Sequence, residues 1–292
     1  MNFNDFVFQE IRLPKALTCL AAGAGLSAAG LILQVIFRNP LAGPYALGIS
    51  SGSSLFLAIL TLSNLSLTPF KLQFMDKGLS ILFSIVGGLI ITFLILSISK
   101  KIKSNLILLL VGLMVAQICS AIQGVLEYTA NPNNLKNFIV FSMGSLTISN
   151  QTEAFVLLSI TIVTLSSLIF LIKPLNAFLF GEDYAVNLGF NYTKYRFYLI
   201  LIASVLTGVI TAFCGPIAFV GLAIPILSRW VVKTSHQGLQ LISSMILGAT
   251  LLLICDLVSN ALIKDVIIPI NTLTSLVGAP IVISLLFKSK TW

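Results

Sequence analysis

Apolar residues in this chain run on rather than alternate with polar ones. Nine stretches approach or exceed the length needed to cross about 30 Å of hydrocarbon. They lie near residues 14–36, 46–62, 78–98, 105–127, 152–172, 197–214, 217–232, 239–263 and 270–287. Each predicts an α-helix, because a backbone in lipid has to satisfy its own hydrogen bonds. The second and seventh are short and interrupted by Gly, Ser or Pro, which predicts tilted or partly broken helices there. The expected fold is an all-α polytopic membrane protein, one transmembrane domain over residues 1–292.

The interruptions carry as much information as the runs. Between Gly30 and Ser54 a long apolar helix stops at Arg38-Asn39-Pro40, and a Gly- and Ser-rich run follows within a few residues. Pro40 and Pro44 lack backbone donors and bias the residues before them away from helix. In hydrocarbon such backbone survives only inside protein or around a water-filled cavity, so this stretch reads as machinery at one membrane face. Residues 129–151 hold Asn131-Pro132-Asn133-Asn134 and then Phe138–Leu146, which predicts a short helix on the outer surface. Residues 173–196 form a long polar segment with two short amphipathic turns hinged at Gly181. Leu175, Phe178 and Leu179 precede the hinge; Glu182, Asp183, Ala185, Val186, Leu188 and Gly189 follow it. Apolar side chains exposed on such a loop predict a protein partner, with a helix lying on the lipid surface as the alternative.

Composition fixes the class. Hydrophobic residues make up 57% and charged residues 9%, with a mean hydropathy of +1.05, whereas soluble domains carry about 25% charged residues. The net charge of +8 does not mark a nucleic-acid surface, because the basic residues sit at the ends of apolar runs. One face collects Arg38, Lys100, Lys101, Lys103, Lys173, Lys194, Arg196, Arg229, Lys233, Lys288 and Lys290; the other collects Arg12, Lys15, Lys71, Lys77, Lys136 and Lys264. The 11:6 division puts the C-terminus in the cytoplasm and, with nine crossings, the N-terminus outside. Met1 to Glu10 lacks the basic n-region of a cleaved signal.

Little in the chain points to catalysis. There is no G-x-x-x-x-G-K-[ST], no H-E-x-x-H and no G-x-S-x-G on a strand-turn-helix. His236 sits in a polar loop beside Thr234 and Ser235, and Cys19, Cys119, Cys214 and Cys255 are scattered through apolar runs, which marks them as packing residues. No metal site and no cofactor is expected. Asp256 is the one clearly intramembrane acid, a functional candidate by default. A hydrogen bond to a neighbouring helix or backbone break is the structural reading, and proton or sodium coupling the functional one. Gly112, Met114, Gln117, Ser120 and Gly124 make the fourth run a candidate lining for a path, with plain packing as the alternative.

Four motifs in order resemble the FecCD family, the permease subunits of type II ABC importers for iron-siderophore, haem and cobalamin. They are Arg12-Leu-Pro-Lys15; Arg38-Asn-Pro-Leu-Ala-Gly-Pro with Leu47-Gly-Ile-Ser-Ser-Gly52; Gly215-Pro-Ile-Ala-Phe-Val-Gly-Leu-Ala-Ile-Pro225; and Leu276-Val-Gly-Ala-Pro280. The resemblance covers about Ile11 to Lys288. It implies a multi-pass protein of a prokaryotic cytoplasmic membrane that pairs with a second copy of itself, two cytoplasmic ATP-binding subunits and an outer substrate-binding protein. It implies that Arg12 and Lys15 meet acidic residues of the binding protein; a further basic position of the family is Asn260 here, with Lys264 one turn on. Residues 173–196 match the loop that couples to the ATPase, with Gly181-Glu182 and Leu188-Gly189 at the family's positions. Asn39, Leu41, Ser104 and Asn105 fall near its cytoplasmic gate, and the 105–127 and last helices resemble its path-lining pair. The family usually has ten spans, the first ahead of Arg-Leu-Pro-basic, whereas this chain begins just before that motif, as a short member or a truncated start. Two inverted four-helix repeats, about 14–127 and 197–287, would then form the core. The function implied is ATP-driven import of a bulky chelate, most often of iron; an ion-coupled secondary transporter using Asp256 is the other reading.

Overall fold

The computed structural model describes residues 8–62, 73–99, 105–147, 150–261 and 268–288. Every regular element among these is helical. A π-helical turn, Phe8–Arg12, leads into α1 (Leu13–Ile36), followed by α2 (Ile49–Leu62), α3 (Gln73–Ser99), α4 (Asn105–Thr129) and α5 (Pro132–Ser142). Next, α6 (Gln151–Ser167) passes through a 3-10 turn, Leu168–Leu171, into α7 (Ile172–Leu179) and then α8 (Glu182–Asn187). The chain ends with α9 (Tyr192–Cys214), α10 (Val220–Val232), α11 (Gln237–Ala261) and α12 (Ile270–Lys288).

Each apolar run expected from the sequence is a helix. Among the described residues six helical runs are long and apolar enough to cross a membrane; Ile49–Leu62, Val220–Val232 and Ile270–Ser284 are apolar but shorter. Two boundaries differ from expectation. The helix expected over Phe138–Leu146 starts earlier, at Pro132, and ends at Ser142. Proline costs nothing at a first helical position, where its missing N–H would have had no partner. The run expected to stop at 172 continues as helix to Leu179, so the segment after it is an extension of a spanning helix rather than a free loop.

The first helix is the axis of the molecule. α1 is almost wholly buried and packs against α11, α9, α6 and α10. α9 is the other deeply buried helix, and it packs on α3. The arrangement is reciprocal: the first helix of each four-helix set, α1–α4 and α9–α12, lies on the third helix of the other. Small residues make these approaches possible. A Cβ at Gly23 would lie 2.3 Å from the carbonyl oxygen of Gly248 on α11. On the α9 side, Ser84 donates to the carbonyl of Gly208 at 2.7 Å, and Thr92 and Ser204 share a hydrogen bond of 3.0 Å.

The tightest approach lies at a defect in α10. Pro225 lies inside that helix and has no N–H to offer the carbonyl of Gly221, four residues back. α1 closes on that carbonyl: a Cβ at Gly30 would stand only 1.6 Å from its oxygen. One turn on, the Gln34 side chain donates to the carbonyl of Leu222 at 3.0 Å. The preceding break, Gly215–Phe219, is held from α12, where Asn271 donates to the carbonyl of Pro216 at 2.7 Å and accepts from the Ala218 N–H at 3.0 Å. That clamp holds Phe219 at φ +65.

Gly30→Ala should therefore destabilise the folded chain by about 1–3 kcal/mol, the usual range for overpacking. Gly124→Ala on α4, where a Cβ meets nothing within 4 Å, should leave stability unchanged or raise it. Thermal unfolding of the detergent-solubilised protein measures both, and equal midpoints would refute the Gly30 argument.

Candidate functional site

At the end of the bundle where α1 stops, the chain reverses through a Schellman turn. The Asn39 N–H reaches the Gln34 carbonyl at 3.1 Å and the Arg38 N–H reaches that of Val35 at 3.1 Å. The left-handed residue such a turn requires is usually glycine; here it is Arg38, at φ +47. Lys233, which ends α10, is left-handed too, at φ +48. Both strained residues are cations at helix C-termini, where the helix dipole offsets part of the strain. Asn39 is buried, and its side-chain oxygen accepts the Leu41 N–H at 2.9 Å, closing an Asx turn. Asn105 opens α4, whereas Ser104 lies outside the described residues.

Beside this turn sits the segment from α7 to α9. Gly181, at φ +113, separates α7 from α8 as the hinge expectation required. A Cβ there would be 3.1 Å from Nη1 of Arg38, so the guanidinium lies against the hinge. Gly189 ends α8 at φ +83, with the Phe190 N–H bonded to the Ala185 carbonyl at 3.0 Å, a second Schellman turn. Asn191 then caps α9 by accepting the Lys194 N–H at 3.0 Å. The segment is thus a pair of capped helices rather than an unstructured connection.

The structure reverses part of what the amphipathic pattern suggested. Leu175 and Phe178, expected to face a partner, are each 1% exposed. Phe178 packs against Tyr192 at a tilt of 45°, with centroids 4.5 Å apart, and Ala185 is also buried. These side chains anchor the loop to the bundle. The outward surface is instead made by Phe180 (61% exposed), Tyr184, Val186 and Leu188 (54%), alongside exposed Glu182 and Asp183; Leu179 is half-buried. A six-residue helix buries one narrow side, and periodicity alone does not say which side that is.

At the opposite end, the Lys15 ammonium meets the Asp256 carboxylate at 2.8 Å and the Asn260 side-chain oxygen at 3.3 Å. The Asn260 amide in turn donates to the Asp256 carbonyl. Asp256, which has no evident partner in sequence, is therefore half of an ion pair between α1 and α11. This favours the structural reading over ion coupling, because a coupling acid has to exchange its partner for an ion. Lys15 is equally engaged, whereas Arg12 is exposed. Lys264 lies outside the described residues. α5 sits at this end too, with Phe138 buried against Ala58 and Leu62. The four cysteines are buried and unbridged.

Along the flank, α4 presents a wide open face. Met114 (58% exposed), Gln117, Ser120 and Gly124 lie on it with Ile118 and Val125. Gly112 does not: it is buried, and a Cβ there would be 3.0 Å from the Leu47 Cα. It packs on the Ala46–Leu47 segment that leads into α2 and leaves the expected lining set.

A model of the FecCD transport family matches residues 1–288. The chain belongs to the FecCD transport family. It is similar to the hemin transport system permease protein HmuU of Yersinia pestis, 32% identical over 97% of this chain and 84% of that protein. It is also similar to the molybdate import system permease protein MolB of Haemophilus influenzae, 35% identical over 97% of this chain and 82% of the relative. A solved chain from an inward-facing transporter of the metal-chelate ABC type superposes with a TM-score of 0.83 at 33% identity, covering 97% of this chain and 88% of that one. As a FecCD member the chain is a multi-pass permease subunit of an ABC transporter and not itself an enzyme; ATP is hydrolysed in a separate subunit.

The burial pattern separates anchor from surface in this FecCD chain. Phe178→Ala should cost about 3–5 kcal/mol, whereas Leu188→Ala should stay within about 0.5 kcal/mol. Thermal unfolding in detergent tests this, and similar losses for both would contradict the assigned orientation of the loop.

Proposed function

We propose that this permease imports a bulky metal chelate, an iron-siderophore foremost and haem or cobalamin within the same class, across a prokaryotic cytoplasmic membrane. The observation that carries the reading is the outward surface Phe180, Tyr184, Val186 and Leu188, held on two capped helices that buried anchors fix to the bundle. A rigid, exposed apolar patch at the end of a membrane domain invites a protein. The separate ATPase subunit seats there, and its movement reaches the Arg38–Leu41 turn, which acts as the inner gate. The charge division among connecting segments supports placing this end in the cytoplasm.

A second copy of the chain completes the path. The open face of α4 carries Gln117, Ser120 and Gly124 among apolar neighbours and no charged side chain through mid-helix. Met114 adds a soft, adaptable contact. Such a lining suits a large chelate whose own ligands already satisfy the metal. At the Arg12 end, a substrate-binding protein docks through acidic side chains, with Arg12 as an exposed cation on the surface and Lys15 behind it in its ion pair with Asp256.

Two measurements test this reading. Val186→Asp with Leu188→Asp should abolish co-purification with the ATPase product of a neighbouring gene, and uptake with it, while the chain still folds. Intact complex and uptake would remove the loop from the ATPase interface. Arg12→Glu should weaken binding-protein docking, and the wild-type affinity should itself fall as salt rises, since the contact is at the surface. Docking indifferent to both would overturn the placement.

A further inference from the structure

The two functional ends are joined by one uninterrupted helix. α11 begins at Gln237, whose N–H bonds to the side-chain oxygen of Asn176 at 2.8 Å. Asn176 belongs to α7, and its amide donates to the Ile172 carbonyl at 3.0 Å. The α7–α8 loop thus supplies the cap of α11. The packing agrees: a Cβ at Gly238 would be 3.3 Å from the Ile172 side chain. Nineteen residues on, about 29 Å at helical rise, Asp256 holds Lys15, three residues from Arg12. Between these points Gly23 and Gly248 bring α1 and α11 to backbone contact. Three of its neighbours are interrupted: α10 and α12 contain Pro225 and Pro280, and α6 reaches α7 through a 3-10 turn. α1 is unbroken too, and it lies beside α11 with its own end, Arg38, against the Gly181 hinge.

We propose that α11, capped by Asn176 at one end and tied to α1 by the Lys15–Asp256 pair at the other, transmits binding-protein docking at the Arg12 end to the ATPase loop. Asn176, Lys15 and Asp256 are positioning residues in this scheme, and none touches cargo. A helix pinned at both ends cannot shift at one end without moving the other, and interfaces this closely packed change by discrete steps rather than by yielding. The inference rests on the importer reading above, which supplies both partners. Coupling of this kind is reciprocal, so an ATPase seated on the loop should alter docking affinity by the factor that docking alters the seating of the ATPase.

The test is stimulation of ATP hydrolysis by loaded binding protein, with the permease–ATPase complex in nanodiscs. Asn176→Ala should cut the ratio of stimulated to basal hydrolysis by about fivefold or more, the lower range of allosteric couplings. Asn176→Asp keeps the oxygen that accepts the Gln237 N–H and should restore most of the ratio. Asp256→Asn should also lower it, and the double variant Asn176→Ala with Asp256→Asn should lose no more than the worse single, because one path is broken only once. Affinity of the binding protein for the ATPase-free permease should not change with Asn176→Ala. Three results would overturn the proposal: an unchanged ratio in Asn176→Ala, independent and multiplying losses in the double variant, or equal losses in Asn176→Ala and Asn176→Asp that follow their melting temperatures. A wild-type complex that assembles but is not stimulated at all would instead sink the importer reading on which the inference stands.

Discussion

Inside a bilayer an unpaired carbonyl has no water to turn to, and Pro225 creates one at Gly221. The packing around that defect lies at the centre of this molecule. At that carbonyl α1 comes within backbone contact of α10, which only a residue without a side chain permits, and Gly30 supplies it. Gln34 adds a donor one turn further. Once α1 lies that close to α10, it is drawn into the middle of the bundle, and its small residues become places where α11 approaches as well. The burial of α1 follows from this more than from its own hydrophobicity, since the peripheral spans are just as apolar.

The two breaks in the core are closed by different means. At Arg38-Asn39-Pro40 backbone N–H groups of the turn bond to the carbonyls of α1 and to the Asn39 side chain. At Gly215–Phe219 the polar groups are satisfied from α12 by Asn271. The first contact is local in sequence, and the second ties the start of α10 to α12.

Much of this was legible in the chain. Uninterrupted apolar runs gave the helices, since lipid leaves the backbone no other form. Gly and Pro marked the two half-length helices, and Gly181 marked the hinge. What escaped depended on residues far apart in sequence. Asp256 reads as a lone acid and Lys15 as a docking cation beside Arg12, and nothing local says they meet. Leu175 and Phe178 sit on the same kind of amphipathic turn as Val186 and Leu188, and only the position of Tyr192 and the bundle decides which set is inside. Pro132 was readable as a helix start had the first-turn tolerance of proline been given more weight than its breaking power. Gly112 resembled its neighbours in composition but points the other way, a distinction that periodicity offers only once one face is known.

The central place of α1 has a consequence for how the protein is made. This helix is synthesised well before the residues of α9, α10 and α11 that enclose it, and Asp256, the partner of Lys15, follows it by more than two hundred residues. At about 5–20 residues per second the nascent helix waits on the order of ten seconds or more with its glycine stripe unfilled and its ammonium unmatched. During that interval lipid, a chaperone or the insertion machinery has to occupy the surface later taken by α11. The core around α1 is therefore complete only once α11 has been made, and the contact that closes it is also one of the longest-range in the chain.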